Sequence, residues 1–106
     1  MAFQIIWSQA AAEDLKGIVQ YIALDDPTAA AKLASRIIQH IETASALPFS
    51  NRAVPEKAEE FIREAILKPY RLIYQVDAER GAIHILRIWH AARGIPDFES
   101  DPAKAQ

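Results

Sequence analysis

The stretch that decides the fold is residues 62–93, which reads IREAILKPYRLIYQVDAERGAIHILRIWHAAR. It holds three runs rich in β-branched, aromatic and aliphatic side chains, at 62–67, 70–76 and 82–90, and such runs are typical of strands. A Lys-Pro corner separates the first two runs, and a turn that ends in glycine separates the last two. We therefore expect three consecutive antiparallel strands joined by tight turns.

Each of these runs carries an arginine at an interior position, namely Arg63, Arg71 and Arg87. A guanidinium is costly to bury without a partner, so these side chains are expected on a side of the sheet that faces solvent or a ligand. Three such strands side by side would form a small basic platform. The alternative is that an arginine pairs across the strands with Glu64 or Asp77.

Strict alternation of side chains along a strand predicts which residues share a face. In the middle run, Tyr70 and Tyr74 lie on one face of the strand and Arg71 lies on the other. We expect these two tyrosines to be core aromatics. In the last run, alternation gives two sets: Ile85, Arg87 and Trp89 on one face, and Leu86, Ile88 and His90 on the other.

The N-terminal half predicts one strand and two helices. The apolar run 3–7 is typical of a strand, and Ser8 after it is a favourable helix N-cap. Apolar residues then recur at helical spacing as far as Leu24, and again from Pro27 to about residue 47. Two amphipathic helices separated by about two residues form an antiparallel helical hairpin.

The order of elements is therefore β-α-α-β-β-β, which predicts an α+β fold. We expect the helical hairpin to cover one face of a small antiparallel sheet and to leave the other face open. Residues 48–60 are interpreted as a surface loop because prolines and polar residues dominate them. Residues 1–95 form one domain, and residues 96–106 are expected to be a flexible tail.

The composition excludes several kinds of site. The chain has 106 residues, enough for one core, and it has no cysteine, which excludes disulfides and cysteine-based metal or redox chemistry and favours the cytoplasm. Its three histidines lack a metal-binding spacing, so no metal is expected. No apolar run approaches the roughly 20 residues that span a bilayer.

The charge is unevenly distributed along the chain. The formal net charge is −2, yet residues 61–93 carry six basic and three acidic side chains, a local net charge of +3. A basic segment in an acidic chain indicates a local anionic partner and not general affinity for nucleic acids.

Two segments, PYRLIYQV at 69–76 and ILRIWHAAR at 85–93, resemble the ParE/RelE superfamily of bacterial toxins. These are the toxins of type II toxin–antitoxin modules, also called plasmid stabilisation proteins. The alanine-rich helix opening at 8–15 and the order of elements are similar as well, so the resemblance covers residues 3–95.

The resemblance implies one of two activities. RelE-like members are endoribonucleases that cut messenger RNA on the ribosome, whereas ParE-like members inhibit DNA gyrase, cause growth arrest and are not nucleases. For a RelE-like chain, Arg71 and Arg87 match strand arginines that act on the scissile phosphate. His90 or Glu64 would then take a proton from the attacking 2′-hydroxyl.

Other residues favour the ParE-like alternative, which is the function we predict. His90 and Arg93 match the His-x-x-Arg ending common in ParE-like members. Ala91 and Ala92 stand where a tyrosine often follows the last strand of the nucleases, and the lysine-rich patch of the nucleases is reduced to Lys68. A toxin that has lost its activity and only binds its antitoxin is a third possibility.

The resemblance also implies the partners. A cognate antitoxin, a small DNA-binding protein with an acidic disordered tail, is expected to bind the toxin, and no cofactor is implied. DNA gyrase, or alternatively the ribosome with its messenger RNA, is the expected target in the cytoplasm. The candidate partner-binding residues are Arg63, Lys68, Arg71, Arg87, Trp89 and Arg93.

Overall fold

The structure, a computed structural model, describes residues 2–57 and 59–97. The elements in chain order are β1 (Gln4–Trp7), α1 (Gln9–Ala23), α2 (Pro27–Ala46), β2 (Arg52–Ala53), β3 (Ile62–Leu67), β4 (Tyr70–Asp77) and β5 (Ala82–His90), followed by a 3-10 turn (Ala91–Arg93). The predicted tail lies outside the described residues from residue 98 onwards.

The strands form one sheet in the order β1-β5-β4-β3-β2. The predicted order of elements is confirmed, with the two-residue β2 added at one edge. The sheet is mixed and not wholly antiparallel, because β1 runs parallel to β5, from Gln4 opposite Ala82 to Trp7 opposite Ile85. The chain between β1 and β5 comprises the helical hairpin and the strands β2, β3 and β4, and this long connection lets the two strands lie parallel.

Side-chain caps fix where both helices begin. Ser8 Oγ accepts a hydrogen bond from the Ala11 amide at 3.0 Å and donates to the Leu86 carbonyl at 3.1 Å. Asp26 accepts from the Ala29 amide at 3.1 Å, and Pro27 opens α2. The Ser8 cap was predicted, and its second bond also ties the start of α1 to β5.

The main core lies between the helices and one face of the sheet. Tyr70 and Tyr74 are buried in it, which confirms them as core aromatics. The Tyr74 hydroxyl donates to the Pro48 carbonyl at 2.6 Å and accepts from Asn51 Nδ2 at 3.0 Å. Burial raises the pKa of both tyrosines, so their hydroxyls stay protonated near neutral pH.

The expectation of an open second face is wrong for its central part. A second buried cluster occupies it, formed by Val54, Ile62, Ile73, Leu86 and Trp89. The connection after β2 folds back over the sheet there: the Val54 amide donates to the Ile62 carbonyl at 3.0 Å and its side chain is fully buried. Burying these apolar side chains supplies the driving force for this second layer.

A β-bulge in β5 breaks the predicted alternation. Ile73 lies opposite Arg87 but Tyr74 lies opposite Ile85, so Leu86 is an extra residue in β5. Ile85 therefore belongs to the core under the helices, and the prediction that it shares a face with Arg87 is wrong. Leu86 points instead to the second cluster with Trp89.

None of the helices in the described part of the chain is long and apolar enough to cross a membrane.

Candidate functional site

Arg71 lies in the middle of β4, on the face away from the helices. Its neighbours across the ladder are Ile66 in β3 and Trp89 in β5. The residue is only 9% exposed. Its guanidinium meets two carboxylates: Nη1 and Nη2 donate to Glu56 at 2.9 and 2.7 Å, and Nε donates to Glu64 at 2.6 Å. A buried cation is thereby compensated on both of its edges.

Glu64 joins this pair to the edge of the sheet. Its side chain is fully buried, and its second oxygen accepts from Arg52 Nε at 2.6 Å. Glu64 lies opposite Ile73 in β4, so it is the diagonal neighbour of Arg71 on the same face. The four side chains, which we call the charge cluster, are Arg52, Glu56, Glu64 and Arg71.

Within the charge cluster, Glu56 and Arg71 hold each other in the ionised form. The hydrogen bond from Arg71 is the largest cause that lowers the pKa of Glu56 from its ordinary value of 4.5. The bond to Glu56 in turn raises the pKa of Arg71, and the bond to Glu64 adds to it against the effect of burial. Neither group is a proton donor or acceptor near neutral pH.

Arg87 is engaged in the same way on β5. The residue is 8% exposed, and its Nε and Nη2 both donate to the Asp14 carboxylate at 2.8 Å. Asp14 lies on α1 and also accepts from the Ile88 amide at 3.0 Å. Arg87 Nη1 donates to the Asp97 carbonyl at 2.9 Å. The pair of Asp14 and Arg87 therefore covers the part of the β5 edge that lies beyond the end of β1.

Trp89 lies between two cations. The guanidinium carbons of Arg93 and Arg87 are 3.9 and 4.9 Å from its ring centroid, and its indole N–H donates to the Gly94 carbonyl at 3.2 Å. Trp89 is buried, whereas Arg93 is exposed. Stacking of this kind stabilises the turn after β5, and of the two cations Arg93 is the one that presents its charge to solvent.

His90 ends β5 and caps the short turn that follows. Its Nδ1 accepts a hydrogen bond from the Ala92 amide at 3.1 Å. The ring packs edge-on against Tyr70, with centroids 5.4 Å apart. His90 is half-buried and its role in the described structure is to shape the end of the strand.

The remaining two predicted residues lie away from the charge cluster. Arg63 stands opposite Tyr74, donates to the carbonyls of Glu60, Phe49 and Asn51, and lies 4.9 Å from the Phe49 ring centroid. Lys68 is exposed in the turn between β3 and β4. The predicted basic platform of three adjacent arginines is therefore not formed.

A groove of about 490 Å³ lies between α1 and the end of β5. Gly17 leaves open space in its wall, and Tyr21 on the next turn of α1 is 78% exposed. His90 and Arg93 line the opposite side, with apolar residues between. The groove combines an apolar floor with polar ends, which suits a peptide segment better than an ion.

Two carboxylates that decide the state of the arginines were not singled out from the sequence. In the sequence, Asp14 is recognisable only as an acidic residue in the first half of a helix, and Glu56 lies in an irregular loop. Neither position indicates the arginine that the carboxylate binds. Of the carboxylates that bind Arg71, only Glu64 in the neighbouring strand was accessible to pattern analysis. Within residues 2–57 and 59–97, no group of three or more histidine, aspartate or glutamate side chains could hold a metal ion.

Comparison with known families identifies the chain. The family model described as "ParE toxin of type II toxin-antitoxin system, parDE" matches residues 5–95. The chain belongs to the ParE toxin family. A curated relative of this ParE-family toxin is Toxin RelE2 of Caulobacter vibrioides, which is 32% identical over 90 residues that cover 85% of this chain and 97% of the relative.

Solved structures show the same fold. The chromosomal ParDE system of P. aeruginosa matches with a TM-score of 0.67 and 24% identity, covering 84% of this toxin and 96% of that chain. The RelBE2 toxin–antitoxin complex of Mycobacterium tuberculosis matches with a TM-score of 0.64 and 19% identity, covering 85% and 92%. A double arginine-to-alanine mutant of E. coli toxin RelE in the free state matches with a TM-score of 0.57 and 16% identity, covering 89% and 88%.

Proposed function

We propose that this ParE-family toxin arrests bacterial growth by binding DNA gyrase in the cytoplasm, without cutting messenger RNA, and that a cognate antitoxin neutralises it. The observation that carries this proposal is the pairing of Arg71 and Arg87, each of which is under 10% exposed and bonded through two nitrogens to one carboxylate. A nuclease of this fold would need these guanidiniums to face a phosphate. Here carboxylates already occupy them.

The candidate proton acceptors point the same way. Glu64 accepts hydrogen bonds from two arginines and its side chain is fully buried, so it cannot approach a 2′-hydroxyl. His90 uses Nδ1 to accept from the Ala92 amide. A general base must lie within hydrogen-bond reach of the proton that it removes. The two arginines that would hold the phosphate beside it, Arg71 and Arg87, are buried and bonded to carboxylates.

A protein partner fits the exposed part of the predicted set better. Lys68 and Arg93 are exposed, while Arg71, Arg87 and Trp89 are buried and influence the surface only through the fold. The groove beside Arg93 is apolar with polar ends, which suits a peptide. The solved ParDE and RelBE2 relatives are toxin–antitoxin systems, which supports an antitoxin as one occupant.

The first test is brief induction of the toxin alone in bacterial cells. Translated messages are mapped by primer extension, and purified toxin is added to a gyrase supercoiling assay. We expect growth arrest with intact messages and a loss of supercoiling activity. New cuts that appear in messages only while they are translated would overturn the proposal in favour of a ribonuclease.

Single variants make this test sharper. If the toxin were a nuclease, Arg87→Ala would reduce cleavage by about 10²–10³-fold, the usual effect of removing one charge-stabilising donor. If the proposal is correct, messages stay intact when the wild type is expressed. Any loss of toxicity in Arg87→Ala then matches the decrease in the amount of folded protein. Arg80→Ala is the matched control, because Arg80 is 83% exposed in the turn before β5.

A further inference from the structure

We propose that Arg71 is the centre of a phosphate-type anion site that the chain fills with its own Glu56, and that Glu56 thereby excludes phosphate-bearing ligands from this face of the sheet. The inference deepens the proposed function and rests on it, because it names the residue that determines which anions the toxin accepts.

The contact between the two residues has the geometry of ligand recognition. The terminal nitrogens of Arg71 donate two parallel hydrogen bonds, of 2.9 and 2.7 Å, to the two oxygens of Glu56. The planar fork of a guanidinium fits a carboxylate and a phosphate in the same bidentate manner. The position of the Glu56 carboxylate is therefore one that two phosphate oxygens would also satisfy.

The fork is held in place by residues other than Glu56. Arg71 Nε donates to Glu64 at 2.6 Å, and Glu64 is fixed in turn by Arg52 at 2.6 Å. Ile66 and Trp89 flank Arg71 across the ladder. The terminal nitrogens therefore keep their direction when the Glu56 carboxylate is removed, which is the preorganisation that a binding site needs.

Glu56 is also the accessible acid of the charge cluster. It lies outside the strands, in the turn over residues 55–57, and its side chain is 29% exposed, whereas that of Glu64 is fully buried. The charge cluster holds two arginines and two glutamates, so it is electrically balanced. Removing the charge of Glu56 leaves one net positive charge beside solvent, with Arg52 as a second, 59% exposed cation nearby.

Glu56→Ala tests the inference, with Glu60→Ala as the matched control. Glu60 lies in the same loop, is exposed, and its loss removes the same charge. Thermal unfolding and calorimetry are followed with inorganic phosphate and with a short single-stranded RNA. We expect Glu56→Ala to bind phosphate at least about ten-fold more tightly than the wild type, and phosphate to raise its unfolding temperature.

The control separates site binding from the general effect of phosphate on stability. Excluded salts such as phosphate stabilise many folded proteins, and that effect would appear equally in Glu60→Ala. Adding Arg71→Lys to Glu56→Ala should abolish the gain, because lysine cannot offer the bidentate fork. If Glu56→Ala does not fold, Glu56→Ser, which also removes the carboxylate and leaves its position open, replaces it in every arm.

Each outcome bears on a different statement. Equal phosphate binding by Glu56→Ala, Glu60→Ala and the wild type would overturn the inference. Binding of both phosphate and RNA by Glu56→Ala supports a site open to phosphodiesters, and binding of phosphate alone supports a site for the small anion. Message cleavage by the wild type would contradict the proposed function, whatever the phosphate result.

Discussion

Glu64 is the residue on which the charge cluster depends most. Its buried carboxylate accepts from Arg52 and from Arg71, each at 2.6 Å. Removing one partner of a buried charge pair costs about 3–5 kcal/mol, because the remaining charge is left uncompensated. We expect Glu64→Ala to reduce the free energy of unfolding by that amount in urea titrations. Glu79→Ala, in the exposed turn before β5, should stay within about 0.5 kcal/mol of the wild type.

Glu56 makes stability depend on pH on the acid side. Its pKa in the folded protein lies below the ordinary value of 4.5, chiefly because Arg71 donates to it. A group with a lowered folded pKa stabilises the protein above its unfolded pKa, and this contribution is lost as the pH falls through the folded value. The difference in unfolding free energy between the wild type and Glu56→Gln should therefore shrink as the pH falls from about 5 to about 3.

Urea titrations at fixed pH values measure this difference directly. Glu60→Gln serves as the control, because Glu60 is exposed in the same loop. A difference between wild type and Glu56→Gln that stays constant over this acid range would show that Arg71 does not favour the ionised carboxylate.

The two partners of Arg71 show what sequence analysis can reach at this scale. The pair with Glu64 was one of two alternatives drawn from the strand pattern, and the contact is present in the structure. Such a pair follows from strand register, because diagonal neighbours on adjacent strands lie side by side. The pair with Glu56 depends on the path of an irregular loop, and residue spacing contains no information on that path.

At the scale of elements, Asp14 is the link between α1 and the free edge of β5. It accepts from Arg87 through both oxygens and from the Ile88 amide. The side chains of Asp14 and Arg87 are only 11% and 10% exposed. We expect Asp14→Ala to lower the free energy of unfolding by about 3 kcal/mol, since it leaves a buried guanidinium and an edge amide without this acceptor.

Glu13→Ala is the matched control for this link. Glu13 stands one position earlier on α1, and its carboxylate accepts a hydrogen bond from the exposed Gln9 side chain at 3.2 Å. An exposed contact of this kind contributes about 0–1 kcal/mol. Similar destabilisation by Asp14→Ala and Glu13→Ala would contradict the role of Asp14 as the link.

The elements themselves were largely predictable, and their exceptions have one physical origin. Caps, helical spacing and β-branched runs are local signals, and they located both helices and the four longer strands. The bulge at Leu86 lies where the pairing with β1 ends and where Ser8 and Asp14 make hydrogen bonds to β5, so its surroundings are distant in sequence. A one-residue shift of this kind reverses which side chains face the core, and the sequence of β5 alone does not reveal it.

At the scale of the whole molecule, only half of the six basic side chains in residues 61–93 remain exposed. Residues 61–93 carry a net charge of +3, but Arg71 and Arg87 are neutralised by acids from outside this segment, Glu56 and Asp14. The basic side chains of the segment that remain exposed are Lys68, Arg80 and Arg93. An acidic partner would therefore contact a few separate cations instead of a continuous basic platform. The rate of its association with the toxin should decrease as the salt concentration rises.

Lys68 and Arg93 are therefore the cations expected to contact the target. A rim charge contributes about 0.5–1 kcal/mol, so reversing both in Lys68→Glu/Arg93→Glu should weaken inhibition of gyrase supercoiling by roughly ten-fold. The fold should persist, since both residues are exposed and only the stacking of Arg93 on Trp89 is lost. Arg80→Glu, which alters a side chain that is 83% exposed in the opposite turn, should inhibit like the wild type. Equal loss in both variants would indicate a general charge effect, and no loss in either would place the contact surface elsewhere.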